Sequence, residues 1–153
     1  MNIEGNKILM GSSYFFGQYD DYKIKDLDYI ILVDKPEDFK NVKNVRIKNM
    51  SGHFDIFYWR RMTPNEWIKY QFDNCKENPM SCGKFLIPEF CKEIGFTIDN
   101  LKELEYFFNN MDQKHSYEKM IYDAYITNND FVLSNEQRLE IYNKYKKDRY
   151  IKI

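Results

Sequence analysis

Two kinds of hydrophobic patterning divide this chain near Thr63-Pro64. Before that point the apolar residues come in short runs, Lys7 to Met10, Tyr29 to Val33, Val45 to Ile47 and Phe54 to Trp59, separated by Gly, Asn, Asp and Pro. Runs of that length with that punctuation predict β-strands. Beyond it, apolar positions recur at three and four residues, the period of a helix with one buried face. Thr63, Pro64 and Glu66 supply a hydroxyl N-cap, a proline in the first turn and a capping-box carboxylate, which opens a helix ending at Asn78-Pro79. A second helix is expected from Gly83 to Ile94, kinked or broken at Pro88 and closed by Gly95. A third runs from Ile98 along the face Leu101, Leu104, Phe107, Phe108 and Met111. A fourth spans Ser116 to Ile126, with Met120, Ile121, Ala124 and Tyr125 inward. The last, Ser134 to Arg149, opens on a second capping-box signature, Ser134-Asn135-Glu136-Gln137.

These elements predict an α+β protein: a small mixed β-sheet core over 1–62 followed by a helical region over 63–153, packed as one compact unit. The 153 residues suit a single core, and 43% apolar with 18% aromatic residues is enough to fill it despite 31% charge. Lys and Arg number 23 against 24 Asp and Glu, so a net charge of -1 creates no field to attract nucleic acid in bulk. The N-terminal apolar run Ile8-Leu9-Met10 is too brief for a signal peptide, and no stretch approaches the ~18 apolar residues of a membrane span. Cys75, Cys82 and Cys91 are odd in number and form no CxxC pair, which argues against a disulfide framework and a zinc knuckle. A cytoplasmic protein with no membrane partner is expected.

The residues with most chemical content lie in the first part. Gly11-Ser12 follows an apolar strand and allows phosphate to approach the backbone amides and the Ser12 hydroxyl. Asp26 and Asp28 stand two apart at the head of the next strand, so both leave the same face and can share an ion. Their carboxylates suit Mg²⁺ or Mn²⁺, whose charge relieves their mutual repulsion. Asp55 lies inside the apolar strand Phe54 to Trp59, where an acid is costly unless paired or metal-bound. If that strand neighbours the Asp26-Asp28 strand, Asp55 completes a two-metal site as a ligand and candidate base.

In order and spacing, Gly11-Ser12, Asp26-Leu27-Asp28 and Asp55 resemble the nucleotidyltransferase superfamily related to DNA polymerase beta, and small phage and bacterial members in particular. The resemblance covers the first part of the chain, up to about Arg60. It implies that Gly11 and Ser12 hold the triphosphate of an NTP while Asp26, Asp28 and Asp55 bind two magnesium ions. Lys114-His115 followed by Met120-Ile121 is similar to a Lys and His that precede an aliphatic helix face in such proteins, and so implies a nucleotide contact. Lys25 departs from the family pattern, which commonly has Ser before the first Asp; a lysine there can pair with phosphate or with Asp26. The implied activity is transfer of a nucleoside monophosphate to an acceptor hydroxyl or phosphate, releasing pyrophosphate. The acceptor, whether tRNA, protein or small molecule, and the oligomeric state are left open.

Plainer readings stand beside these. Asp-x-Asp can be a turn before a strand, Asp55 can pair with Arg46, Lys48 or Arg60, and Lys114-His115 can be a polar helix start before Ser116. His53 and His115 lack a second ligand at zinc spacing, and Asp20 to Asp28 lacks the glycine and terminal Glu of a calcium loop. The alternative function is a non-catalytic nucleotide binder or an antitoxin-like, partner-binding protein on the same fold.

Overall fold

The computed structural model describes residues 7–23, 27–33, 46–48, 53–59 and 62–150. The chain divides into two units, 1–62 and 63–153, at the point where the hydrophobic pattern changes. The mixed α+β class follows from an N-terminal sheet and a C-terminal set of helices.

The first unit is a four-stranded sheet formed by β1 (Lys7–Met10), β2 (Leu27–Val33), β3 (Arg46–Lys48) and β4 (His53–Trp59), in the order β1-β2-β4-β3. Antiparallel β1 and parallel β4 flank β2, and β3 pairs antiparallel with the far side of β4. As a central strand β2 buries three consecutive residues, Ile30, Ile31 and Leu32, which requires cover on both faces. Helix α1 (Gly11–Phe16) leaves β1 without a break and buries Phe15 and Phe16. The strand order, with a parallel β2/β4 pair, is more than the apolar runs alone could specify.

The second unit holds α2 (Pro64–Asn74), a 3₁₀ segment (Pro79–Leu86), α3 (Pro88–Ile94), α4 (Ile98–Lys102), α5 (Glu105–Asn109), a 3₁₀ turn (Gln113–His115), α6 (Ser116–Asn128) and α7 (Asn135–Tyr150). Both expected capping boxes form. Thr63 accepts from the Glu66 amide at 3.2 Å while its own amide donates to Glu66, and Ser134 accepts from the Gln137 amide at 3.0 Å with the reciprocal bond at 2.8 Å.

Three boundaries differ from the sequence expectation, each for a local reason. Helix α2 stops at Asn74, four residues before Asn78, and the chain re-forms as 3₁₀ from Pro79. Pro88 does not kink a helix running from Gly83 but starts α3, where its missing N–H is harmless. The expected helix from Ile98 splits into α4 and α5, because Leu101, Leu104 and Phe107 are spaced by successive threes. The backbone there tightens into three-residue bonds, Glu103 N–H to Asn100 and Leu104 N–H to Leu101. On α6, Ile121 and Tyr125 are buried as expected, but Tyr117 and Tyr122 join them, while Met120 and Ala124 are half-buried.

The core of this unit is aromatic around one buried cation. Trp67, Phe85 and Phe90 meet edge-to-face or tilted at 5.8–6.1 Å, and Phe85 stacks on Phe96 at 4.5 Å. Lys84 is 1% exposed; its Nζ donates to Gln71 Oε1 at 2.9 Å and to the Ser81 carbonyl at 2.6 Å. Gln71 in turn donates to Ser81 Oγ and to Cys82 Sγ. The Phe85 ring lies 4.7 Å from the ammonium. A lysine that bonds the carbonyl three residues back holds together a 3₁₀ run of eight residues, longer than such segments usually persist.

Burial pulls the Lys84 ammonium down from 10.5 to about 8, partly offset by the neighbouring Cys82 and Cys75 thiols. Between those values the unfolded chain carries a proton that the folded chain lacks, so stability rises with pH. Burial also pushes the Cys82 thiol up from 9.0 to about 12, which lowers stability once pH exceeds 9. From pH 8 to 9 the Lys84 contribution, roughly 1 kcal/mol by itself, outweighs the opposing contributions of the buried Cys82 and Cys91 thiols. The wild type should therefore gain a fraction of that in urea unfolding, and Lys84→Met should lose the gain. A rise that survives in Lys84→Met would show that Lys84 is not its source.

Candidate functional site

The antiparallel ladder between β1 and β2 pairs Met10 with Asp28, so the chain leaves β1 directly beside the head of β2. The next residue, Gly11, has φ of +75°, a conformation L side chains adopt only with strain. A Cβ on Gly11 would lie 3.1 Å from Asp28 Oδ2. Glycine is thus favoured twice, by its backbone angle and because a Cβ would crowd the carboxylate, which would have to give by a few tenths of an ångström. Ser12 and Ser13 follow on α1, and both hydroxyls converge on the phenol of Tyr22, at 2.6 Å and 3.1 Å. Gly11 therefore lies beside Asp28, and Ser12 follows it on α1.

Asp26, with Lys25 beside it, lies outside the described residues. Asp55 is on the neighbouring parallel strand, as a two-metal site would need, but the register sets it apart. Asp55 pairs with Tyr29 and Ile47, whereas Asp28 pairs with Phe54. Registered partners share one alternation, so the backbone places Asp55 with Leu9, Tyr29 and Ile31, and Asp28 with Met10, Ile30 and Leu32. The Lys7 ammonium, 4.1 Å from the Tyr29 ring centroid, marks the first of these sets. Joining Asp55 and Asp28 on one ion requires β4 to move by one residue against β2. Arg46 and Lys48 pair with Ile56 and Phe54. Arg60 lies outside the described residues.

Lys114 and His115 belong to the helical unit. They form the 3₁₀ turn before α6, rather than part of a helix, and the Asp112 carboxylate accepts from the His115 amide at 3.1 Å. His115 Nδ1 lies 3.2 Å from Glu118 Oε1, and the Glu118 carboxylate packs against Gly83 so closely that no Cβ would fit there. This gives His115 a structural partner of its own.

Among the described residues no three of His, Cys, Asp and Glu gather as a metal-holding group. Asp28 brings one carboxylate to this turn, beside Gly11. Sequence reasoning missed Tyr22, for nothing in its spacing from Ser12 announces a contact. It also missed the Lys84 cluster, since lysine at a helix start reads as surface. Among the described residues no helix is long and apolar enough to cross a membrane.

The double preference at Gly11 can be measured against Gly95, which has φ of +73° but open space where a Cβ would go. Left-handed backbone alone costs about 1–2 kcal/mol for an alanine at either site. Gly11→Ala should therefore lower the thermal midpoint more than Gly95→Ala, and part of the excess should vanish when Asp28→Ala is added. Equal losses would remove the Asp28 carboxylate from beside Gly11.

No protein-family model matches this chain, and neither the curated proteins nor the solved structures contain a significant match to it.

Proposed function

We propose that this chain is a metal-dependent nucleotidyltransferase, which transfers a nucleoside monophosphate from an NTP to a hydroxyl or phosphate acceptor. The observation that carries the reading is the placement of the Asp28 carboxylate against the glycine-serine turn at Gly11 and Ser12. A turn with no side chain at its apex lets a phosphate reach backbone amides and the Ser12 hydroxyl. The adjacent carboxylate supplies the hard oxygen that a phosphate-bound magnesium or manganese ion prefers. Asp26 and Asp28 would hold that ion, and Gly11 and Ser12 the phosphates. When bound, the ion neutralises charge on the phosphates and the departing pyrophosphate. The bond from acceptor oxygen to the α-phosphorus forms, the bond to the β-phosphate oxygen breaks, and the acceptor proton passes to a base. Asp55 would serve as base and second-ion ligand only with β4 one residue over against β2.

The register offset of Asp55 is the one observation that favours a second reading, nucleotide binding without turnover. A carboxylate out of step with Asp28 leaves one ion seated and the second without its ligand. The helical unit could then serve a protein partner instead of an acceptor.

Calorimetric titration of the four NTPs with magnesium tests both. One NTP should bind only with metal, and Asp26→Asn/Asp28→Asn should weaken it by at least about tenfold, the size of one charged interaction. Absence of binding to every NTP would overturn the nucleotide reading. With β4 in the register described, Asp55→Asn should leave NTP affinity within about threefold, the size of a screened exposed charge pair. A loss equal to that of the Asp28 variant would instead put Asp55 in the ion's shell and β4 one residue over.

A further inference from the structure

The Tyr22 phenol joins two serine hydroxyls at the seat assigned above to phosphate, and neither reading of that site gives it a task. Its oxygen lies 2.6 Å from Ser12 Oγ and 3.1 Å from Ser13 Oγ. Ser13 is buried, whereas Ser12 and Tyr22 are half-buried. The tyrosine is itself held in place. Its amide donates to the Tyr19 carbonyl at 3.1 Å, closing the turn that follows α1, and its ring packs tilted against the buried Phe16 at 6.4 Å. The turn after α1 therefore folds back and delivers a fixed hydroxyl to the serines.

Three hydroxyls carry three protons, and their relative acidities suggest how these are shared. A phenol is a stronger acid than an aliphatic alcohol, so Tyr22 is the better donor in the shorter contact. Tyr22 then donates to Ser12, in the shorter of its two serine contacts. Ser12, already accepting, has its own proton left to donate away from the tyrosine. A hydroxyl that accepts one bond also donates a stronger one.

We propose that Tyr22 is a positioning residue: it fixes and polarises the Ser12 hydroxyl as a donor to a phosphate oxygen of the nucleotide. This rests on the phosphate-seat reading of Gly11 and Ser12. Tyr22 acts through Ser12 and touches no reacting atom, so its influence scales with the phosphates of the ligand and not with the base.

The test is calorimetric binding of the NTP found above, and of the matching nucleoside, to wild type, Tyr22→Phe, Ser12→Ala and the double variant, each checked by thermal melting. Tyr22→Phe should lose about fivefold in NTP affinity, the span of one hydrogen bond, and nothing for the nucleoside. Added to Ser12→Ala it should lose nothing further. Ser12→Thr, which keeps a hydroxyl, should retain the dependence on Tyr22. An unchanged NTP affinity in Tyr22→Phe, an equal loss for the nucleoside, or full additivity with Ser12→Ala would each overturn the proposal while leaving the phosphate seat intact. If Tyr22→Phe fails to fold, Ser12→Ala alone decides: an unchanged NTP affinity overturns the proposal and a loss confined to the NTP supports it. A wild type that binds no NTP overturns the underlying site instead.

Discussion

The antiparallel pairing of Met10 with Asp28 places a carboxylate beside the residue where the chain leaves its first strand. A glycine follows Met10 with least strain, because the backbone turns left-handed there and a Cβ would crowd the carboxylate. Ser12 and α1 follow from that turn, and the loop after α1 returns Tyr22 to the serines. The N-terminal unit thus has its candidate chemistry at one edge of β2, generated by a single ladder contact.

Strand alternation is the constraint that divides the acidic residues. A β-strand repeats every two residues, so a carboxylate belongs to one side or the other according to register alone. Such a register is normally held by a buried face and a solvated face, which make a slip expensive. β2 lacks that contrast, since Ile30, Ile31 and Leu32 are all buried. The sequence of β4, His-Phe-Asp-Ile-Phe-Tyr-Trp, is apolar at both alternations. The hydrophobic pattern therefore does not by itself dictate the placement of Asp55 with Tyr29.

The helical unit solves a different problem. Its aromatic residues bury readily, yet it encloses a lysine and a glutamine at 1% and 0% exposure. Burial of an ammonium is expensive, and the Gln71 and Ser81 oxygens with the Phe85 ring face offset part of that cost. In return the cluster ties α2 to the 3₁₀ segment through hydrogen bonds that work only at one relative placement. Directional bonding of this kind specifies a packing that interchangeable apolar contacts leave open.

Local physics made much of this molecule legible in its sequence. Thr63-Pro64-Glu66 and Ser134 to Gln137 cap helices because the bonds involved span three residues, and the four strands follow from short apolar runs between breakers. Gly11, Ser12 and Asp28 stood out through their order and spacing, each being commonplace by itself, and the β1–β2 ladder sets Asp28 beside Gly11. Three things were decided by tertiary structure alone: the register that separates Asp55 from Asp28, the approach of Tyr22 to Ser12, and the enclosure of Lys84. Each depends on which segments meet across space, and an apolar run, a tyrosine or a lysine has the same local preference whichever neighbour it is given.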